Sequence, residues 1–232
     1  MRILVVEDTE LVRRVIQAYL EKLGYQADYA ADCGEALKLF KGDEYSLVLM
    51  DCQLPDGDGV EALRLLREQG ERRVPVIALS ASAPEARRCV EAGMDDFLLK
   101  PFTIEQLAGI LKRWLPGPKD EGLGNRVQGM NEAALIALDD YERNGDRRLS
   151  RIARAVEALD LEEVARGAHS FRPINAYLGA TRMVELLAEM EERAKGGDSG
   201  SLPGLFRELL QEYGKVKSAL PEIRRRLEGK ND

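Results

Sequence analysis

Five polar residues in the first half of the chain could do chemistry together, because each follows an apolar, strand-like segment. They are Glu7, Asp8, Asp51, Ser80 and Lys100. Three carboxylates in one pocket repel one another, and burial would raise their pKa values. A divalent cation and the Lys100 ammonium group would both relieve this repulsion. A site made of oxygen ligands suits Mg²⁺, which keeps several waters and favours phosphate-bearing partners.

The same five residues provide what phosphoryl transfer requires, which is mainly charge neutralisation and in-line positioning. A carboxylate can act as the nucleophile, while a hydroxyl group, a lysine and a metal ion hold the transferred group. Each residue also has an ordinary interpretation, since acids after strands often cap helices and a lysine before a proline is often exposed. The shared position of all five favours the functional interpretation.

The elements that would position these residues alternate between strands and helices. Apolar, strand-like runs lie at 3–6, 47–50, 76–79 and 97–99, with a weaker one at 27–30. Amphipathic stretches with helical spacing separate them. Over residues 1–115 this alternation predicts a doubly wound α/β fold, with a five-stranded parallel sheet covered by helices on both faces. Ligands of such sheets bind at the carboxyl ends of the strands, where the five polar residues lie.

The second half of the chain has a different pattern. Residues 116–130 are rich in proline and glycine, which predicts a linker. Residues 131–232 lack a strand pattern, and Gly145 is among the glycines that separate their helical segments. Those segments are 131–144, 147–159, 161–177, 180–195 and 202–228. They predict an all-α four-helix bundle preceded by a short helix.

The chain contains a single histidine, His169, which excludes multi-histidine metal centres and chemistry that needs two imidazoles. His169 lies off the apolar stripe of its helix. Arg166 and Pro173 lie one turn to either side of it. We therefore expect a solvent-facing imidazole that a partner can reach. Such an imidazole has a pKa near neutrality and is a competent nucleophile.

The first half resembles a response-regulator receiver domain, a flavodoxin-like fold, over essentially all of residues 1–115. The resemblance rests on the pairs Glu7-Asp8 and Ser80-Ala81, which stand in the family's order and spacing. It also rests on residues 51–59, Asp-Cys-Gln-Leu-Pro-Asp-Gly-Asp-Gly, and on residues 93–101, Gly-Met-Asp-Asp-Phe-Leu-Leu-Lys-Pro. Each motif is weak alone, but their combination is specific.

This resemblance implies a role for each residue of the pocket. Asp51 would accept a phosphoryl group. Asp8 and the backbone carbonyl of Gln53 would bind Mg²⁺ together with Asp51, and Glu7 would help through water. The phosphoryl oxygens would contact two further side chains, those of Ser80 and Lys100. Phe97 would be the aromatic that turns inward when Ser80 moves, although Phe97 is equally well interpreted as a plain core residue.

Residues 131–228 resemble a histidine phosphotransfer (HPt) domain. The family motif Ala-His-x-Leu-Lys-Gly corresponds to Ala-His-Ser-Phe-Arg-Pro at 168–173, and Leu-Gly-Ala follows at 178–180. The resemblance implies phosphotransfer through His169, with Arg166, Arg172 and Pro173 on the docking surface. Pro173 departs from the family glycine. It predicts a kink after His169, at a cost of about 3 kcal/mol, and adds bulk where a receiver would dock.

Composition excludes several classes of protein. The formal net charge is −7, from 41 acids and 34 bases, which argues against a nucleic-acid binder. The apolar runs are too short to span a bilayer, and the start lacks a signal-peptide layout, so a cytoplasmic protein is expected. Cys33, Cys52 and Cys89 are odd in number and lack CxxC spacing, which predicts neither a disulfide framework nor a zinc site.

These observations favour a phosphorelay carrier that catalyses its own aspartyl phosphorylation and is not a stand-alone metabolic enzyme. Its partners would be a histidine kinase, other receivers or phosphotransfer proteins. They would act mainly in trans, because the predicted linker leaves the sheet at the edge opposite Asp51. The alternative is a binding switch gated by Asp51 phosphorylation, whose helical half docks or dimerises with a silent His169. An aspartyl-phosphate phosphatase is disfavoured, because position 53 holds glutamine rather than a second acid.

Overall fold

A computed structural model of the chain describes residues 1–40, 44–69, 73–115 and 129–228. The chain divides into two compact units, Met1–Met130 and Asn131–Asp232. Most of the predicted linker, residues 116–128, lies outside the described residues, and its last two residues already belong to a helix. None of the described helices is both long enough and apolar enough to cross a bilayer.

The first unit is built on the predicted five-stranded parallel sheet. In chain order the strands are β1 Arg2–Val6, β2 Gln26–Ala30, β3 Leu47–Asp51, β4 Gln53–Leu54, β5 Gly57–Asp58, β6 Val76–Ser80 and β7 Asp96–Leu99. The sheet order is β2-β1-β3-β6-β7, with every neighbouring pair parallel. The doubly wound prediction is therefore confirmed. The two-residue strands β4 and β5 form a separate antiparallel ladder that the sequence pattern did not predict.

Four described helices connect the strands of this unit, and a fifth follows the last strand. They are α1 Glu10–Leu23, α2 Cys33–Leu39, α3 Gly59–Gln69, α4 Ala83–Glu91 and α5 Ile104–Trp114. Side chains of Asp32, Ser82 and Thr103 cap α2, α4 and α5 by accepting backbone N–H groups, which satisfies donors that lack partners within the helix. All residues of β3 and β6 are buried, as expected for central strands covered on both faces.

The second unit is all-helical, as predicted. Its described helices are α6 Gly129–Glu157, α7 Leu161–Tyr177, α8 Thr181–Lys195 and α9 Leu202–Leu227. The Tyr141 ring on α6 packs against Phe171 of α7 and stacks on Tyr213 of α9, with ring centroids 5.6 and 5.3 Å apart. These aromatic contacts join three of the four helices in one core.

The predicted helix break at Gly145 is wrong, because α6 runs through this position as a single helix. The glycine serves close packing instead of ending the helix. A Cβ atom at residue 145 would lie 2.6 Å from the hydroxyl of Tyr213. Glycine is tolerated inside a helix when a neighbouring segment approaches this closely.

Candidate functional site

The first unit brings three of the predicted pocket residues into direct contact. The Lys100 ammonium group lies 2.8 Å from Asp51 Oδ2 and 2.5 Å from Glu7 Oε2. These side chains are 6%, 3% and 0% exposed. The ordinary interpretation of Lys100 as an exposed surface lysine is therefore wrong. Each residue comes from the end of a different strand, so the parallel topology itself assembles the pocket.

The backbone around Asp51 depends on a close approach that only glycine permits. A Cβ atom at Gly59, the first residue of α3, would lie 2.4 Å from the carbonyl oxygen of Asp51. The Gly59 N–H donates to the carbonyl of Cys52 at 3.1 Å. The loop after the phosphoacceptor candidate thus returns tightly to the end of β3.

The pocket holds more negative than positive charge. Burial and the neighbouring Asp51 raise the pKa of Glu7 to about 8. Burial would lower the pKa of Lys100, but the carboxylates of Asp51 and Glu7 outweigh burial and raise it. Lys100 is therefore a permanent cation, and one cation does not neutralise the group of carboxylates.

The oxygen atoms in the pocket fit a hard divalent cation. Glu7 is engaged by Lys100 and by the backbone N–H of Thr9, which donates to Oε1 at 3.1 Å. Asp8 is half-buried and accepts a hydrogen bond from the Thr9 hydroxyl at 3.1 Å. Asp51 accepts the backbone N–H of Gln53 on Oδ1, also at 3.1 Å. An all-oxygen set with few protein ligands is the kind that Mg²⁺ favours.

Ser80 lies at the end of β6, fully buried, but its hydroxyl is directed to a residue that the sequence did not single out. Its Oγ lies 2.5 Å from Glu85 Oε2 on α4 and 2.9 Å from the Ser82 carbonyl oxygen. The side-chain amide of Gln53 donates to the other oxygen of Glu85. Glu85 therefore bridges the loop after Asp51 and the end of β6.

Phe97 on β7 is exposed, with 38% of its surface accessible, whereas the next residue, Leu98, is buried. The interpretation of Phe97 as a plain core residue is therefore wrong. The switch interpretation of Phe97 stays a prediction.

In the second unit, His169 is held by an acid from the neighbouring helix. Its Nδ1 lies 3.1 Å from Glu191 Oε1 on α8. The ring is half-buried and only 14% exposed, so the expectation of a solvent-facing imidazole is wrong as stated. Glu191 also contacts Arg172 at 2.9 Å and Lys195 at 2.7 Å. Burial alone would raise the pKa of Glu191, but these three basic side chains lower it to about 2.

Glu191 was missed from the sequence, although one signal pointed to it. It stands among the buried apolar residues of α8, next to Met190 and one turn before Ala194. An acid inside an apolar stripe needs a polar partner, because an unpaired buried charge is costly.

The three residues predicted for the docking surface differ in their contacts. Arg166 is exposed and pairs with Glu163 at 2.7 Å and with Glu162 at 3.4 Å on its own helix. Arg172 instead points to Glu191. Pro173 lies within α7, which continues to Tyr177. The kink predicted there stays a prediction.

Family models match both units. Residues 3–112 match the response regulator receiver domain, and residues 137–219 match the Hpt domain. Both matches agree with the resemblances that the motifs indicated.

Curated relatives match about half of the chain. The aerobic respiration control sensor protein ArcB of Escherichia coli strain K12 is 39% identical over 124 residues, which is 52% of this chain and 16% of ArcB. The hybrid signal transduction protein dokA of Dictyostelium discoideum is 37% identical over 131 residues, 56% of this chain and 8% of dokA. The chain thus spans only a small part of these relatives.

Among solved structures, the chain is similar to the receiver domain of the sensor histidine kinase PA1611 from Pseudomonas aeruginosa PAO1, which has a magnesium ion coordinated in its active site cleft. The two are 45% identical, and the match covers 49% of this chain and 95% of that one, with a TM-score of 0.46.

Proposed function

We propose that this chain, a two-component signalling protein with a receiver domain followed by an Hpt domain, carries phosphoryl groups in a phosphorelay. The observation that supports this most is the buried contact of Lys100 with both Asp51 and Glu7. Its partners would be a histidine kinase, other receivers or other phosphotransfer proteins. The three free thiols suit a reducing compartment, and we propose the cytoplasm.

In the proposed acceptance step, a carboxylate oxygen of Asp51 attacks the phosphorus atom of the donor. The O–P bond forms as the bond to the donor's leaving group breaks. Lys100 stays protonated and neutralises charge on the phosphoryl oxygens. The Ser80 hydroxyl would exchange Glu85 for a phosphoryl oxygen. Mg²⁺ held by Asp8, Asp51 and the Gln53 carbonyl, with Glu7 acting through water, would supply further charge neutralisation.

In the Hpt domain, the pairing of His169 with Glu191 selects the nucleophilic nitrogen. A glutamate whose pKa is about 2 is ionised at neutral pH and can only accept hydrogen bonds. The Nδ1 atom must therefore carry the proton and donate it to Glu191. The lone pair of the imidazole then lies on Nε2, which would attack phosphorus. Glu191 is thus proposed as a positioning residue that holds the reactive tautomer.

The decisive experiment is labelling with Mg²⁺ and a small acyl-phosphate donor or a kinase, followed by the stability of the label to acid and to base. An acyl phosphate on Asp51 is lost in base, and a phosphoramidate on His169 is lost in acid. We expect His169→Ala to remove only the acid-labile label, and Asp51→Ala to remove the base-labile label together with any acid-labile label that reaches His169 through Asp51. If neither label appears with any donor, the proposal fails.

Transfer between chains can be tested with the same variants. When Asp51→Ala and His169→Ala chains are mixed, we expect label to move from one chain to the other. Label that moves only within an intact chain would overturn the proposal that the main partners act in trans.

The second candidate is a phosphorylation-gated binding switch, and Pro173 is the observation that favours it. Its ring replaces the family glycine within α7, four residues after His169. In this alternative Asp51 still accepts phosphate and the exposed Phe97 face changes, but His169 stays silent. A base-labile label without any acid-labile one would favour this switch.

A further inference from the structure

Two cysteines that are far apart in sequence meet inside the receiver domain. The sulfur atoms of Cys52 and Cys89 lie 2.8 Å apart, and the two residues are 1% and 0% exposed. Both are free thiols. A disulfide bond is about 2.05 Å long, so the sulfurs need to approach by less than about 1 Å to become bonded.

One partner of this pair is directly attached to the phosphoacceptor. Cys52 follows Asp51 in the chain. Its backbone N–H donates to the Leu79 carbonyl at 3.0 Å, and its carbonyl accepts the N–H of Gly59 at 3.1 Å. With both backbone groups held, a shift of Cys52 is transmitted to the Asp51 carboxylate.

The other cysteine, Cys89, lies on α4. This helix also contacts the segment that follows Asp51 through polar side chains. Glu85 accepts a hydrogen bond from the Gln53 side chain. Arg88 pairs with Asp58 at 2.7 Å. Cys89 adds a contact of α4 with the segment after Asp51, and unlike the two polar contacts it can become covalent.

We propose that Cys52 and Cys89 form a redox modification site, in which a hydroperoxide joins them reversibly in a disulfide. One thiol attacks the peroxide, whose O–O bond breaks to give a sulfenic acid and, for hydrogen peroxide, water. The second thiol then displaces the sulfenic oxygen as water, and the S–S bond forms. The two sulfurs lose two electrons and two protons in total, and the peroxide is reduced to two waters.

Burial determines how this site is reached. Buried cysteines react slowly, since a reagent must enter before it can attack. Hydrogen peroxide is close to water in size, and local opening of α4 from the sheet would admit it. We therefore expect slow oxidation that yields one product, because Cys52 and Cys89 are already in contact.

The consequence for signalling rests on the proposed function. A disulfide would tie the loop after Asp51 to α4 and keep Glu85 beside the Ser80 hydroxyl. Ser80 could then not turn to a phosphoryl oxygen without moving the tethered helix. Oxidation would therefore slow phosphoryl uptake by Asp51.

The site is tested on the full chain with hydrogen peroxide, followed by alkylation in denaturant and tryptic mapping without reductant. We expect a linked peptide pair containing Cys52 and Cys89, two hydrogens lighter than the separate peptides, that dithiothreitol releases. Cys33→Ala should leave this product unchanged, while Cys52→Ala and Cys89→Ala should each remove it. A chain with no such product, or one in which Cys33 links equally well, overturns the proposal.

The consequence is measured as the rate of phosphoryl uptake from a small acyl phosphate with Mg²⁺. We expect the oxidised chain to react roughly tenfold more slowly or worse, since displacements of about 1 Å can cost 100-fold. Dithiothreitol should restore the rate, and Cys89→Ala should not respond to peroxide. An unchanged rate in the linked chain overturns the signalling consequence. A reduced chain without any uptake would count against the proposed function, while the peptide map would still decide the disulfide site.

Discussion

The two candidate sites have opposite charge arrangements. In the receiver domain one cation, Lys100, lies between the carboxylates of Asp51 and Glu7. In the helical domain one anion, Glu191, lies among the basic side chains of His169, Arg172 and Lys195. The first site has excess negative charge and suits a metal cation, whereas the second has excess positive charge and suits a phosphoryl anion.

The two sites also differ in how they are built. Strand ends converge on the Asp51 pocket, so sheet topology assembles it. The His169 site is a contact between two adjacent helices, α7 and α8, so helix rotation and packing assemble it. Among the described residues of each site, one residue of opposite charge contacts the others, so its removal should have the largest effect.

The largest effect is expected for Lys100→Met. This change leaves the buried Asp51 carboxylate without its cation and Glu7 without its ammonium partner, which should destabilise the receiver domain by about 3–5 kcal/mol and prevent Asp51 phosphorylation. Urea unfolding can be followed by the fluorescence of Trp114, the only tryptophan in the chain, which lies in this domain. Lys38→Met, at an exposed position of α2, is the matched control. A loss below about 1 kcal/mol would mean that Lys100 does not hold the carboxylates together.

The next effect concerns Glu191 and its dependence on pH. Because its pKa falls from 4.5 in the unfolded chain to about 2 in the folded one, its contribution is present above pH 4.5 and is lost as the pH falls towards 2. That contribution amounts to about 3 kcal/mol. Glu191→Gln should therefore be less stable than the parent at pH 6, and the gap should narrow by pH 3. Urea unfolding is followed by circular dichroism at 222 nm, which reports the helices of both domains, and by Trp114 fluorescence, which reports the receiver domain. The difference between the two signals gives the unfolding of the helical domain. A gap that stays constant with pH would contradict the ion-pair interpretation.

Glycine substitutions test the two kinds of assembly at a smaller scale. A Cβ at Gly59 meets a backbone carbonyl that cannot move away, whereas one at Gly145 meets the end of the Tyr213 side chain. We expect Gly59→Ala to cost about 2–3 kcal/mol and Gly145→Ala about 1 kcal/mol.

The controls for these glycine changes lie in the same two domains. At Gly109 and Gly214 a Cβ atom would enter open space, so their alanine variants should gain up to about 1 kcal/mol from helix propensity. Urea unfolding measures all four variants. A larger loss for Gly145→Ala than for Gly59→Ala would reverse the expected order.

The smallest effect is expected for Glu163→Gln, which is a counterpart of Glu191→Gln. Arg151 and Arg166 also lower the pKa of Glu163 to about 2. These pairs lie at the surface, however, where water screens them, so the loss should be about 0–1 kcal/mol. The same pH-dependent unfolding measurement checks it. Equal losses for Glu163→Gln and Glu191→Gln would show that burial does not distinguish the two glutamates.

Much of the fold could be predicted from sequence because its signals are local. Apolar runs alternating with helical spacing define the parallel sheet, and the rule that ligands bind at the strand ends then identifies Glu7, Asp51 and Lys100. The same reasoning failed at Gly145, since a glycine that ends a helix and one that admits a neighbouring side chain look alike in sequence.

Local sequence patterns were enough to predict which residues lie at strand ends and which share a helix face, because those properties follow from the periods of strands and helices. The contacts between different elements became visible only in the three-dimensional structure: Ser80 with Glu85, Cys52 with Cys89, and His169 with Glu191. These contacts depend on how helices are rotated and how closely they approach. Packing of the whole domain sets both quantities, and no local pattern contains them.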